Sequence, residues 1–141
     1  MKNTDLKIFF IGSIRGGRIN QPQYVGIVEI LAQYGTVFSD HVADKSLGEY
    51  GETDLEKEEI HDRELKMLGK SDIVVADVTT PSLGVGYLIS QAINLNKKVI
   101  ALYNGEDILK LSAMIKGDKN IKVHLYKTEE DLTAIFNSEI S

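Results

Sequence analysis

The sequence contains no cysteine, which excludes disulfides, cysteine-based zinc sites and thiol nucleophiles outright. Prolines number only two, and neither marks a boundary between domains. No apolar run comes near the length that spans a bilayer; "KIFFIGS" and "DIVVADV" are the longest. The opening "MKNTDLK" lacks the apolar core of a signal peptide, so a cytoplasmic location without membrane association is expected. With a formal net charge of −5 the basic surface of a general nucleic-acid binder is missing. A small anionic ligand stays open, because a few local cations and backbone amides can hold one. His41, His61 and His124 have no spacing typical of a metal site, so no metal and no other cofactor is assigned.

What is present describes one α/β domain over residues 1–141, long enough to bury a core without staples. Hydrophobic residues at 43% and charged residues at 26% place it among soluble globular proteins. "KIFFIG" (7–12) closes an apolar run on glycine and reads as a buried strand. A helix is expected from near Pro22 to Tyr34, with Val25, Val28, Ile30 and Leu31 on one face and Gly35 where a C-terminal cap belongs. "TVFSDHV" (36–42) reads as a second strand and 43–53 as a surface loop. A charged helix then begins near Thr53 or Asp54 and ends near Gly69. "SDIVVADV" (71–78) is the strongest strand, and "TTPSLGVG" turns into a helix through Asn96. "KKVIALY" (97–103), a short helix over Ile108 to Lys116, "IKVHLY" (121–126) and a helix over Thr128 to Asn137 complete the chain. Such alternation predicts right-handed crossovers and a flavodoxin-like (Rossmann-like), doubly wound, five-stranded parallel sheet. Ligands of such sheets lie at the carboxyl ends of the strands, by the switch point.

Two loops at those ends carry chemistry. "GSIRGGR" (12–18) offers Gly12, Ser13, Ile14, Arg15 and Gly16: a hydroxyl, a guanidinium and amides beside small residues. It is neither a P-loop nor the dinucleotide fingerprint, and it reads either as a phosphate cradle or as a loop with solvated arginines. "TTPSLGVG" (79–86) places Ser82 and Gly84 just before a helix, where amides and the helix dipole face an anion. Its other reading is an ordinary connection with Ser82 as N-cap. On the second helix Ile60, Glu64, Met67 and Leu68 share one face. A carboxylate facing inward needs a partner or a cavity, so Glu64 is either a site residue or an acid snorkelling at the edge of that face.

Taken in order, "GSIRGGR", "FSDHVAD", "IHDRELKML", "SDIVVADVTTPSLGVGY" and "LSAMIKG" resemble the Rcl-type 2′-deoxynucleoside 5′-monophosphate N-hydrolases, relatives of the nucleoside 2-deoxyribosyltransferases. The resemblance runs from about Lys7 to Phe136. It implies a nucleotide-binding homodimer that hydrolyses the N-glycosidic bond of a nucleoside 5′-monophosphate to free base and (deoxy)ribose 5-phosphate, through a glycosyl-enzyme formed on a glutamate. It assigns the phosphate to Ser13, Arg15 and Ser82, with backbone help from Gly16 and Gly84, and to Ser112 donated by the neighbouring subunit. The nucleophile's position is Leu88, and the tyrosine that assists it is Phe9. No acidic residue occurs between Thr79 and Lys98 to replace the nucleophile, and the family's aspartate on the second helix is Glu64. Two readings follow: hydrolysis with Glu64 as base or substitute nucleophile, or a catalytically inactive homodimer that binds or senses the nucleotide.

Overall fold

Alternation along five apolar strands decides which helices each side chain meets. The computed structural model describes residues 5–13, 21–39 and 56–140. In chain order they form β1 (Lys7–Ile11), α1 (Gln21–Leu31), β2 (Thr36–Phe38), α2 (Lys57–Lys70), β3 (Ile73–Asp77), α3 (Leu83–Asn94) and β4 (Lys98–Tyr103). A 3-10 turn at Ile108–Lys110 follows, then α4 (Ala113–Lys116), β5 (Ile121–Leu125) and α5 (Glu129–Glu139). The strands pair in the order β2-β1-β3-β4-β5 and every pairing is parallel. This is the flavodoxin-like order, and its direction reverses between β1 and β3.

On one face Ile8 and Phe10 of β1, Ile73 and Val75 of β3 and Ile100 and Leu102 of β4 pack on α1 and α5. Tyr24, Ile27 and Leu31 come from α1, and Leu132, Ile135 and Phe136 from α5. The alternate residues Phe9, Ile11, Val74, Ala76, Val99 and Ala101 pack on Leu68 of α2 and on Val85, Leu88, Ile89 and Ala92 of α3. Each fully buried side chain of this size contributes roughly 1.5–3 kcal/mol against the entropy of ordering the chain. By the same alternation Asp77, the last residue of β3, belongs to the α1/α5 side.

Several boundaries differ from the sequence reading, each for a local reason. The buried stripe of α1 is Tyr24, Ile27, Ile30 and Leu31, whereas Val25 and Val28 are only half-buried. That helix stops at Leu31, and residues 32–34 tighten into turns, with the Gln33 and Tyr34 amides donating to Ile30 and Leu31 carbonyls. β2 pairs over three residues only, and 40–42 lie outside the described residues. α2 begins at Lys57 rather than at 53 or 54; the Glu59 carboxylate accepts from the Glu56 amide at 3.4 Å. α3 ends at Asn94, because Asn96 adopts φ 60, a left-handed conformation that asparagine tolerates better than most side chains. The helix expected over 108–116 is two pieces. Leu111 turns into the core between them, and Ser112 caps the second by accepting from the Met114 amide at 3.3 Å.

Candidate functional site

The carboxyl ends of β1 and β3 stand side by side, since Ile11 pairs with Ala76. Gly12 is therefore level with Asp77. Its hydrogen is needed for close approach: a Cβ there would come within 2.8 Å of the Tyr24 ring. Ser13 is 4% exposed, and its amide donates to the Tyr24 hydroxyl oxygen at 3.2 Å. Ile14, Arg15 and Gly16 lie outside the described residues.

The neighbouring loop is fixed more firmly. The Val78 amide donates to the Leu102 carbonyl at 2.9 Å, and Thr79 Oγ1 accepts from the Asn104 amide at 2.9 Å. Asp77 Oδ1 accepts from the Thr79 amide at 2.9 Å, and Oδ2 accepts from the Tyr126 hydroxyl at 2.6 Å. Burial raises the Asp77 carboxyl above the usual carboxylate range, although its hydrogen bonds pull the other way. Burial and the adjacent Asp77 likewise push the Tyr126 hydroxyl far up. Ser82, extended at φ −153, is the N-cap of α3; its Oγ accepts from the Val85 amide at 3.2 Å, which leaves its own proton to donate outward. The amides of Leu83 and Gly84 have no carbonyl to reach within the helix, and they sit at the positive end of its dipole. A Cβ on Gly84 would meet only Ser82 Oγ at 3.9 Å.

Beneath this rim, on the α2/α3 side, the floor is apolar. Phe9 is fully buried and Leu88 is 9% exposed, both in one cluster with Ile11, Leu68, Val74 and Val85. α2 packs on β1 and α3. Its Glu64 side chain is 16% exposed, and Oε2 lies 3.5 Å from Arg63 Nε. The acid read from the sequence as inward-facing is thus mostly covered and sits beside a cation.

The two described histidines go to different places. His61 Nε2 lies 3.1 Å from the Tyr87 hydroxyl, joining α2 to α3, while Nδ1 lies 3.0 Å from Asp62 Oδ1. His124 Nε2 lies 2.6 Å from Glu139 Oε2. His41 falls outside the described residues. Among the described residues no three metal-capable side chains cluster.

A groove of about 810 Å³ runs between α3 and the segment from Lys110 to Ile121, lined by Ser82, Val85 and Ile89 and by Leu111, Ser112 and Ile115. Ser82 and Ser112 of one chain therefore border the same groove. Phe9, Glu64 and Leu88 do not line it. Leu83 and Met114 at its edge are 95% and 82% exposed, and a Cβ on Gly86 would meet nothing within 4 Å. Tyr24, Asp77, Thr79 and Tyr126, which support the rim, were not singled out from the sequence. The available signal was a carboxylate closing the otherwise apolar strand "IVVAD".

The family model for nucleoside 2-deoxyribosyltransferase matches residues 8–136. The chain belongs to the nucleoside 2-deoxyribosyltransferase family. Within it, the chain is 43% identical over 128 residues to the 5-hydroxymethyl-dUMP N-hydrolase of Danio rerio, covering 89% of this chain and 90% of that one. It is 44% identical over 116 residues to the protein of the same name from Tetraodon nigroviridis, covering 82% of each. Among solved structures it resembles the CMP N-glycosidase BcmB of Clostridium botulinum, with TM-score 0.62 and 14% identity, over 94% of this chain and 98% of that one. That likeness concerns the fold: the five-stranded parallel sheet with helices on both faces. This member of the family has relatives that are N-hydrolases of a deoxynucleoside 5′-monophosphate. No helix among the described residues is long and apolar enough to cross a membrane.

Proposed function

We propose that this chain, as one domain, binds nucleoside 5′-monophosphates and holds the phosphate where the loops after β1 and β3 meet. Ser13, Arg15 and Ser82 supply side chains, and the loop backbone at Gly12, Ile14, Gly16 and Gly84 supplies amides. The reaction class of its relatives is hydrolysis of the N-glycosidic bond. A covalent route needs a carboxylate aimed at the anomeric carbon, and Leu88 has none to offer. The observation that carries the reading is the contrast between rim and floor: amides and a capping serine above, Phe9 and Leu88 closed into one apolar cluster below. The conclusion is a binding protein that leaves the nucleotide intact.

Glu64 favours a second reading. Being mostly covered and on a helix packed against β1 and α3, it is an acid suited to take a proton from an attacking water. The oxygen of that water would bond to the anomeric carbon as the bond to the base breaks, the base leaving with a proton from solvent.

The chain works as a homodimer in this proposal, with Ser112 of the partner subunit completing the phosphate site. Support comes from the exposed Leu83 and Met114 at the groove and from the open space at Gly86. A glycine inside a helix costs about 1 kcal/mol relative to alanine, and packing among the described residues gives Gly86 no return for it. A cysteine-free chain suits a cytoplasmic setting.

The deciding experiment incubates the protein with a panel of ribo- and deoxyribonucleoside 5′-monophosphates and follows free base by chromatography, with Glu64→Gln alongside. Intact nucleotide recovered in stoichiometric complex is the expected result. Base release that vanishes in Glu64→Gln would replace it with the second reading. Light scattering should give twice the 15.7 kDa chain mass.

A further inference from the structure

Both rim loops rest on one buried polar group of side chains on the α1/α5 side, opposite the Phe9–Leu88 floor. Tyr24 and Tyr126 are 2% and 4% exposed and belong to the same cluster, and Asp77 at the end of β3 is fully buried. The Asp77 carboxylate is spent entirely on the fold's own groups. One oxygen takes the Thr79 amide and the other takes the Tyr126 hydroxyl, just beyond β5. Thr79 in turn takes the Asn104 amide, just beyond β4. The turn that leads to Ser82 is thereby pegged to the ends of β3, β4 and β5. On the other loop, Tyr24 takes the Ser13 amide and meets Gly12 with its ring. A buried carboxylate is costly unless its oxygens are satisfied, and here the acceptor of hydrogen bonds from Thr79 and Tyr126 sits where it holds a loop rather than where it fills the core.

We infer that Asp77, with Thr79 and Tyr126, is a positioning residue: it holds the β3–α3 turn so that Ser82 and the first α3 amides face the phosphate of the ligand. It does this without touching the ligand. The inference rests on the reading of this rim as a nucleotide phosphate site.

The test compares binding of 5-hydroxymethyl-dUMP with that of its nucleoside, 5-hydroxymethyl-2′-deoxyuridine, by calorimetry. Three variants are used, each confirmed folded by thermal melting. Asp77→Ala removes both acceptors. Thr79→Ala removes the peg to Asn104 together with the hydroxyl's own bonds to Asp77 and Tyr126 but keeps the carboxylate and the Thr79 amide, so it carries the test if Asp77→Ala does not fold. Asp77→Asn keeps an oxygen for the Thr79 amide and offers an amide to the Tyr126 oxygen. Asp77→Ala and Thr79→Ala should weaken the nucleotide about tenfold while changing the nucleoside less than about twofold, and Asp77→Asn should stay within about threefold of the parent for both. Equal losses for nucleotide and nucleoside, or no loss at all, would reduce Asp77 to a core residue and overturn the inference. Should the parent protein itself bind nucleotide and nucleoside alike, the phosphate reading fails and takes this inference with it. A parent that discriminates and variants that discriminate equally well leave the phosphate reading standing and sink this inference alone.

Discussion

The two faces of the sheet reach the same carboxyl edge with opposite chemistry. On the α2/α3 side the edge is dry: Phe9 and Leu88 pack with Ile11, Val74 and Val85. On the α1/α5 side it is wired with hydroxyls and a carboxylate, Tyr24 beneath Gly12 and Ser13, and Asp77 between Thr79 and Tyr126. The polar side supports loop geometry, and the apolar side occupies the place where the family resemblance puts a nucleophile and its helper. In the proposed reading, grip and reaction are assigned to different residues, so a change in the floor leaves the groups that hold the loops in place.

That comparison is broken most strongly by rewriting the dry side. Leu88→Glu combined with Phe9→Tyr should restore an acid and a hydroxyl together, each able to satisfy the other. Base release from a deoxynucleoside monophosphate should then rise by about 10³-fold or more over the parent. A folded double variant with no gain in release would show that the floor is not the missing element. Phe9→Ala, which only empties the floor, should cost about 3–5 kcal/mol of stability, measured by denaturant unfolding. A smaller perturbation tests the polar side. Gly12→Ala drives a methyl into the Tyr24 ring and should cost roughly 1–3 kcal/mol, with nucleotide binding weakened as Ser13 moves. Pairing it with Tyr24→Ala should relieve the clash, and a clash that persists would place the strain elsewhere.

The smallest effect sharpens the comparison through pH. The Asp77 carboxyl is raised in the folded protein, so the native state keeps its proton to higher pH than the unfolded chain does. Its contribution to stability is therefore present below the unfolded aspartate value of about 3.9 and lost as pH rises through the native value. Asp77→Asn cannot ionise, so its stability relative to the parent should increase as pH rises from the unfolded aspartate value through the native one, and stay constant above and below that window. Urea midpoints across a pH series read this directly; a difference that does not vary with pH would contradict it. Glu139 should behave oppositely. Burial works to raise its carboxyl, but hydrogen bonds from His124 and Lys98 outweigh burial and hold it below the usual range. Its contribution is present at neutral pH and lost as pH falls through the native value.

The sheet was legible because each strand is a compact apolar run between glycines, polar turns and helical periods. The pairing of Phe9 with Leu88 comes from the family resemblance, and the structure places both in one apolar cluster. What escaped had weak local signals. Tyr24 was passed over in α1 because its amphipathic ring reads equally well as surface, although it is among the most buried side chains. The stretch 108–116 is too short for a period to separate one helix from two, and only the burial of Leu111 divides it. Asp77 and Tyr126 fall inside the strands read over 71–78 and 121–126, and only the tertiary fold brings positions 49 apart in sequence into a hydrogen bond. The rim loops were recognisable from small and polar residues beside strand ends, but not which of their amides are turned inward, as that of Ser13 is.

Alternation along β3 has one further result. Ala76 serves the dry face, and Asp77 beside it serves the wired one. Neighbours in the chain thus serve separate environments, and a substitution at position 9 or 88 changes the apolar face while the hydrogen bonds of Asp77 stay in place. The backbone acts as an insulator between the two faces, so that in the proposed reading the floor can be rebuilt without loosening the turn that leads to Ser82.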